Sequence, residues 1–173
     1  MLPGHDRQMR PLILIAHNIR SCHNAGSLLR TAEGLGVIKV YLTGYTPYPL
    51  IEHGDTRLPH LAQKIDRQIN KTALGATQLI AWENRPDIEP LISELRSDGF
   101  TVAALEQTAQ SLPLPDVRPG RKMALIVGRE VEGIEPEVLA RCDCAIQIPM
   151  YGRKESFNVA AAAAMALYRL RFH

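Results

Sequence analysis

The chain has 173 residues, 46% of them apolar and 22% charged, with a formal net charge of +2. That balance belongs to an ordinary soluble globular protein, and one domain over residues 1–173 is the expectation. Weakly basic overall, the chain neither demands nor excludes nucleic acid, because local patches of Lys and Arg matter more than the total.

Pro11 to Ala16 is a continuous apolar run that suits a strand buried on both faces. A loop from Asn18 to Gly26 is expected next, then a helix over Ser27 to Leu35 with Asn24 as its N-cap and Gly36 at its end. Val37 to Leu42 reads as a second strand. Residues 43–76 read as irregular, punctuated by Pro47, Pro49 and Pro59, with helical character only from Leu61 to Ile69. Gln78 to Trp82 is predicted as a third strand, Ile88 to Arg96 as an amphipathic helix closed by Gly99, and Phe100 to Leu105 as a fourth strand. After a Pro-rich loop come the strand Met123 to Val127, a short helix Pro136 to Arg141, the strand Ala145 to Ile148 and a last helix Ser156 to Leu170. Strands alternating with helices at this spacing predict an α/β fold, a mainly parallel sheet with helices on both faces.

Three cysteines, Cys22, Cys142 and Cys144, show no CxxC spacing. Cys142 and Cys144 are expected on one face of a strand as buried apolar filler, which fits a reducing compartment. The six histidines lack metal-ligand spacing, so no metal site is expected. No targeting signal is read at the N-terminus, and the Ala-rich run near the C-terminus is too short to span a bilayer. A cytoplasmic location without membrane contact is the expectation.

Neither GxGxxG nor GxxxxGK[ST] occurs, which argues against a conventional dinucleotide fold or a P-loop enzyme. The Gly-rich loops come late instead, at Gly128-Arg-Glu-Val-Glu-Gly133 and around Gly152. Two loops at the ends of neighbouring strands are where open α/β sheets place ligands. Gly128 could admit another molecule close to the backbone, or could simply make a turn. Ser156 and Asn158 could carry chemistry, or could only cap the last helix.

Three segments in this order closely resemble the SpoU (TrmH-type) branch of the SPOUT RNA methyltransferases. They are Asn24-x-Gly26-x-x-x-Arg30-Thr31, Gly128-x-Glu130-x-x-Gly133-Ile134 and Ile148-Pro149-Met150-x-Gly152-x-x-x-Ser156-Phe157-Asn158-Val159. Lys71 to Ala76 and Ala104 to Thr108 also look like stretches common in this branch. The resemblance spans nearly the whole chain. It implies a C-terminal deep trefoil knot, which no periodicity argument would propose, and a homodimer that shares its active site between subunits. It implies S-adenosyl-L-methionine as cofactor, S-adenosyl-L-homocysteine as product, no metal, and a tRNA or rRNA ribose 2′-hydroxyl as acceptor. By position, Leu105, Gly128, Ile148 and Phe157 match cofactor contacts, and Asn24, Arg30, Glu130, Ser156 and Asn158 match the polar catalytic set. The family usually has Leu at the place of Phe157, whose backbone groups are nonetheless retained. The resemblance casts Arg30 as a base. A guanidinium keeps its proton in proteins, so a clamp on the neighbouring phosphate is the alternative role. Arg20, Arg30, Arg129, Arg153 and Lys154 are expected near the cleft, where phosphate contacts give affinity with little sequence choice.

Overall fold

A computed structural model describes residues 9–129 and 132–172. The strands are β1 Leu12–His17, β2 Lys39–Thr43, β3 Trp82–Arg85, β4 Thr101–Leu105, β5 Leu112–Pro113, β6 Met123–Val127 and β7 Cys144–Gln147. They form one sheet in the order β3-β2-β1-β6-β4-β7-β5, with every recorded pairing parallel. The central strands are the most apolar: β1 and β6 are buried along their full length. Residues of each strand alternate between two cores, as the pleat requires. Leu12, Leu14, Leu125 and Val127 face one core, and Ile13, Ile15, Ala124 and Ile126 face the other.

The helices are α1 Cys22–Gly34, α2 Pro59–Ala73, α3 Ala76–Leu79, α4 Ile88–Ser97, α5 Pro136–Leu139 and α6 Val159–Phe172. The first core takes Leu28, Leu29 and Ala32 of α1, Ile69 of α2 and Ala163, Ala166 and Leu167 of α6. Ile88, Leu91, Ile92 and Leu95 of α4, with Val138 of α5, cover the other face. Helices therefore stand on both faces of a parallel sheet, as expected. Among the described residues, no helix is long and apolar enough to cross a membrane.

Several boundaries differ from the sequence reading. Helix α1 begins five residues early, because Ser21 rather than Asn24 caps it: the Ser21 side chain accepts the Asn24 N–H at 3.2 Å. The stretch 43–76 is less irregular than expected, since Pro59 opens a helix that runs to Ala73. Gln78 and Leu79 belong to the short helix α3, and the third strand starts only at Trp82. The apolar Leu-Ile-Ala there closes a helix and crosses to a strand, a case where a short run cannot reveal its period. Cys142 lies before β7 rather than in it. It packs on the core beneath α4, while Cys144 packs on the opposite core, so the two thiols do not share a face.

Candidate active site

Because all the strands are parallel, their C-terminal ends lie on one edge of the sheet. The strand order departs from chain order where β6 lies between β1 and β4, and a crevice at such a point is where these folds hold ligands. A cavity of about 320 Å³ opens there. Its floor is apolar, made by Leu105 of β4, Val127 of β6 and Ile146 of β7. Its walls are Gly128, Arg129 and Gly133, Ile148 and Met150, the segment Glu155 to Phe157, and Val159 and Ala162 of α6.

The turn is shaped by its glycines. A Cβ on Gly128 would stand 2.5 Å from Ile134 Cγ1 and 3.1 Å from Gly133 O, so the close approach there is by the chain's own backbone. Gly133 has φ +70°, and a Cβ on it would lie 2.3 Å from Glu106 Oε2. Glu106 fills that space. Its Oε2 accepts the Ile134 N–H at 2.8 Å and its Oε1 accepts the Gln107 N–H at 2.9 Å. One carboxylate thus ties the end of β4 to the far side of the turn.

A second carboxylate, Glu135, anchors the other flank. Asn18 Nδ2 donates to its Oε1 at 2.8 Å, and Arg129 Nη2 lies 3.3 Å from the same oxygen. His17 Nε2 stands 3.2 Å from Oε2, and His17 Nδ1 is 2.8 Å from Thr43 Oγ1. Burial pulls the His17 pKa down, against the pull of Glu135 upward. Burial raises the Glu135 pKa, but its own backbone N–H, the Asn18 amide and the nearby His17 and Arg129 outweigh that and leave it low. Arg20 pairs with Glu132 at 2.9 Å on the exposed rim.

The four residues matched to cofactor contacts, Leu105, Gly128, Ile148 and Phe157, meet in this one cavity, and Ser156 joins them. Ser156 precedes α6 instead of opening it, in an exposed stretch from 151 to 158. Asn158 caps the helix, its Oδ1 accepting the Ala160 N–H at 3.0 Å. The same side chain donates Nδ2 to Asn24 Oδ1 at 3.1 Å, joining the first and third motifs across 134 positions. Arg30 does not line this cavity. It is exposed on α1 and lines a separate shallow concavity with Ser27, Thr31 and Thr72. Glu130 lies outside the described residues. The sequence reading passed over Glu106, His17, Asn18 and Glu135. The polar His17-Asn18 ending an apolar strand was the available sign for two of them, since strand ends on this edge face the ligand.

A parallel α/β protein with an apolar-floored cavity at its switch point is the class that fold and site define. The chain belongs to the SpoU rRNA Methylase family, whose model matches residues 11–168. That is the family its motifs resemble. It is 28% identical over 160 residues to a tRNA (guanosine(18)-2′-O)-methyltransferase of Borreliella burgdorferi, covering 92% of this chain and 65% of that one. It is 30% identical over 158 residues to a 23S rRNA (guanosine-2′-O-)-methyltransferase of Bordetella pertussis, covering 91% of this chain and 58% of that one. The chain therefore spans less than two thirds of either relative. A crystal structure of an AdoMet-bound rRNA methyltransferase from Sinorhizobium meliloti shares the fold, with TM-score 0.76 at 22% identity over 94% of this chain and 56% of that chain.

Proposed function

We propose that this chain is an RNA methyltransferase that moves a methyl group from S-adenosylmethionine to a ribose 2′-hydroxyl of tRNA or rRNA, releasing S-adenosylhomocysteine. The observation that carries the reading is the convergence of Leu105, Gly128, Ile148, Phe157 and Ser156 on one cavity, from strands and loops far apart in sequence. Its size lies at the low end of small-molecule pockets. The apolar floor suits a flat nucleobase, and the backbone of the turn offers hydrogen-bonding groups to it. When bound, the cofactor supplies an electrophilic methyl whose transfer neutralises a sulfonium, so the reaction does not require a metal.

The chain's own residues then orient and stabilise. Asn24 and Asn158, bonded to each other, hold the start of α1 against the start of α6. Ser156 stands at the mouth with a hydroxyl to offer the substrate. Arg30 keeps its proton, clamps the phosphate beside the target ribose and stabilises the oxygen as it gains negative charge. Arg30 sits about 9 Å along α1 from Asn24, six residues at 1.5 Å each. A homodimer that shares its active site would bring Arg30 of the partner subunit to this subunit's cavity. Glu130 completes the polar set by its place in the second motif.

The same reading takes residues 1–173 as a single cytoplasmic methyltransferase domain whose C-terminal part is tied in a deep trefoil knot. The late insertion of β6 between β1 and β4, with α6 returning to pack on α1, β1 and β6, supports that path. The test is labelled methyl transfer to bulk tRNA and rRNA, followed by nucleoside analysis. Label on 2′-O-methylribose is the expected result. Label on a base would replace the reaction class. Cofactor binding without transfer to any RNA would leave a non-catalytic RNA-binding protein as the better description.

A further inference from the structure

We infer that Arg129 receives the carboxylate at the amino-acid end of the methyl donor, and that His17, Asn18 and Glu135 are positioning residues that aim it. The inference rests on the S-adenosylmethionine reading above. It begins from charge. Among the described residues lining the cavity, Arg129 is the sole cation, and Glu106 and Glu155 are the acids. The donor carries two positive groups, a sulfonium and an ammonium, and one negative group, a carboxylate. One guanidinium facing two carboxylates complements that set.

Geometry adds direction. The Arg129 side chain is 24% exposed, enough to meet a ligand without being free to wander. Its Nε donates to Gly133 O at 3.2 Å, and Nη2 faces Glu135 Oε1 at 3.3 Å. These contacts fix the plane of the fork, whose five N–H donors exceed them in number. Because Glu135 offsets much of the positive charge, what Arg129 offers is oriented N–H donors rather than bulk attraction.

Glu135 is in turn held from the sheet. Asn18 Nδ2 grips one oxygen. The other, Oε2, is buried without a hydrogen-bond partner unless His17 Nε2, 3.2 Å away, carries the ring proton. Nδ1 lies 2.8 Å from the Thr43 hydroxyl, and Asn18 Nδ2 stands 3.0 Å from Nε2, so polar contacts on both ring nitrogens hold the imidazole against Glu135. A relay of contacts therefore runs from the end of β2, through the end of β1, to the turn that walls the cavity. His17 is only 5% exposed and touches none of the cavity, so its effect on a ligand must pass through Glu135 and Arg129.

Calorimetric titration of the full chain with S-adenosylmethionine and with decarboxylated S-adenosylmethionine tests this, since the two differ only in the carboxylate. The native protein should bind the first about tenfold more tightly, the scale of one partly exposed charged hydrogen bond. Arg129→Gln should abolish that difference and leave affinity for the decarboxylated ligand intact, which also reports that the cavity is still folded. His17→Gln, which leaves the charge of Glu135 in place and loosens its aim, should shrink the difference about threefold. Equal weakening of both ligands by Arg129→Gln would reduce the residue to a structural role in the turn, and no weakening of either would place it outside the site. Both outcomes overturn the inference while leaving the methyl-donor reading in place. Failure of the native protein to bind either ligand would remove that reading and the inference with it.

Discussion

Gly133→Ala gives a sharp test of how the cavity wall is built. The substitution puts a side chain at φ +70°, which costs about 1–2 kcal/mol for a residue other than glycine. It also drives a methyl to within 2.3 Å of Glu106 Oε2. The carboxylate is the end of a flexible side chain and can swing away, but doing so breaks its bond from the Ile134 N–H. Losing a hydrogen bond to a charged group costs about 1.5–3 kcal/mol. The sum is about 2.5–5 kcal/mol, or a fall in Tm of about 5–20 °C for a chain of this size. Thermal and urea unfolding of Gly133→Ala should be measured in the native background and again in Glu106→Ala. With the carboxylate gone, only the backbone term remains, so the second cost should drop to about 1–2 kcal/mol. Equal costs in the two backgrounds would refute the claim that Glu106 and Gly133 share one space.

Arg30→Ala should lower methyl transfer to RNA by at least about a hundredfold, the scale of one lost donor to a developing oxyanion. Titration with S-adenosylhomocysteine should be unchanged, because the role proposed for Arg30 is toward the RNA phosphate and the acceptor oxygen and not toward the cofactor. Gly26→Ala should destabilise by about 1–3 kcal/mol despite the better helix former, because its Cβ would meet Ile69 O at 2.2 Å and Thr72 Oγ1 at 2.3 Å and push α1 off α2. Urea midpoints would report it. For His17, burial lowers the folded pKa below its ordinary 6.5, so the unfolded chain takes up the proton first as pH falls. Stability from this group is full above about pH 6.5 and declines below it until the folded ring titrates. Unfolding free energy measured from pH 7.5 to 5 should therefore slope less in His17→Gln than in the native chain, and equal slopes would place the titration elsewhere.

Much of this architecture could be read along the chain before any coordinates. The runs Leu12 to Ala16 and Met123–Val127 are apolar on every residue, and only a strand covered on both faces needs that. The 3.6 period of Ile88, Leu91, Ile92 and Leu95 placed α4 to within a residue. The same signals failed where two elements meet without a gap, at Ala76 to Arg85, and where a serine just upstream took the capping role from Asn24. At the site, the motifs brought out Leu105, Gly128, Ile148, Ser156 and Phe157 on the cavity, but neither Glu106 on its wall nor Glu135 behind it. Glu106 and Glu135 look like any loop acid in sequence; what distinguishes each is a backbone amide or an amide side chain that comes within reach only after the strands are paired. Gly128 shows the converse. Its missing side chain makes room for Gly133 and Ile134, so the glycine serves the shape of the wall before it serves any ligand.

The position of β6 also bears on how the chain can reach its native state. β1 pairs with β6 along five residues, yet 105 residues separate the end of one strand from the start of the other. On a ribosome, the first three strands emerge and can pair while one edge of β1, a strand buried along its full length, still waits for its neighbour. An uncovered ribbon of that kind invites pairing with another nascent chain. Birth of this protein is thus its most vulnerable period, and fragments stopped short of Met123 should be recovered from cells as aggregates while the completed chain stays in solution.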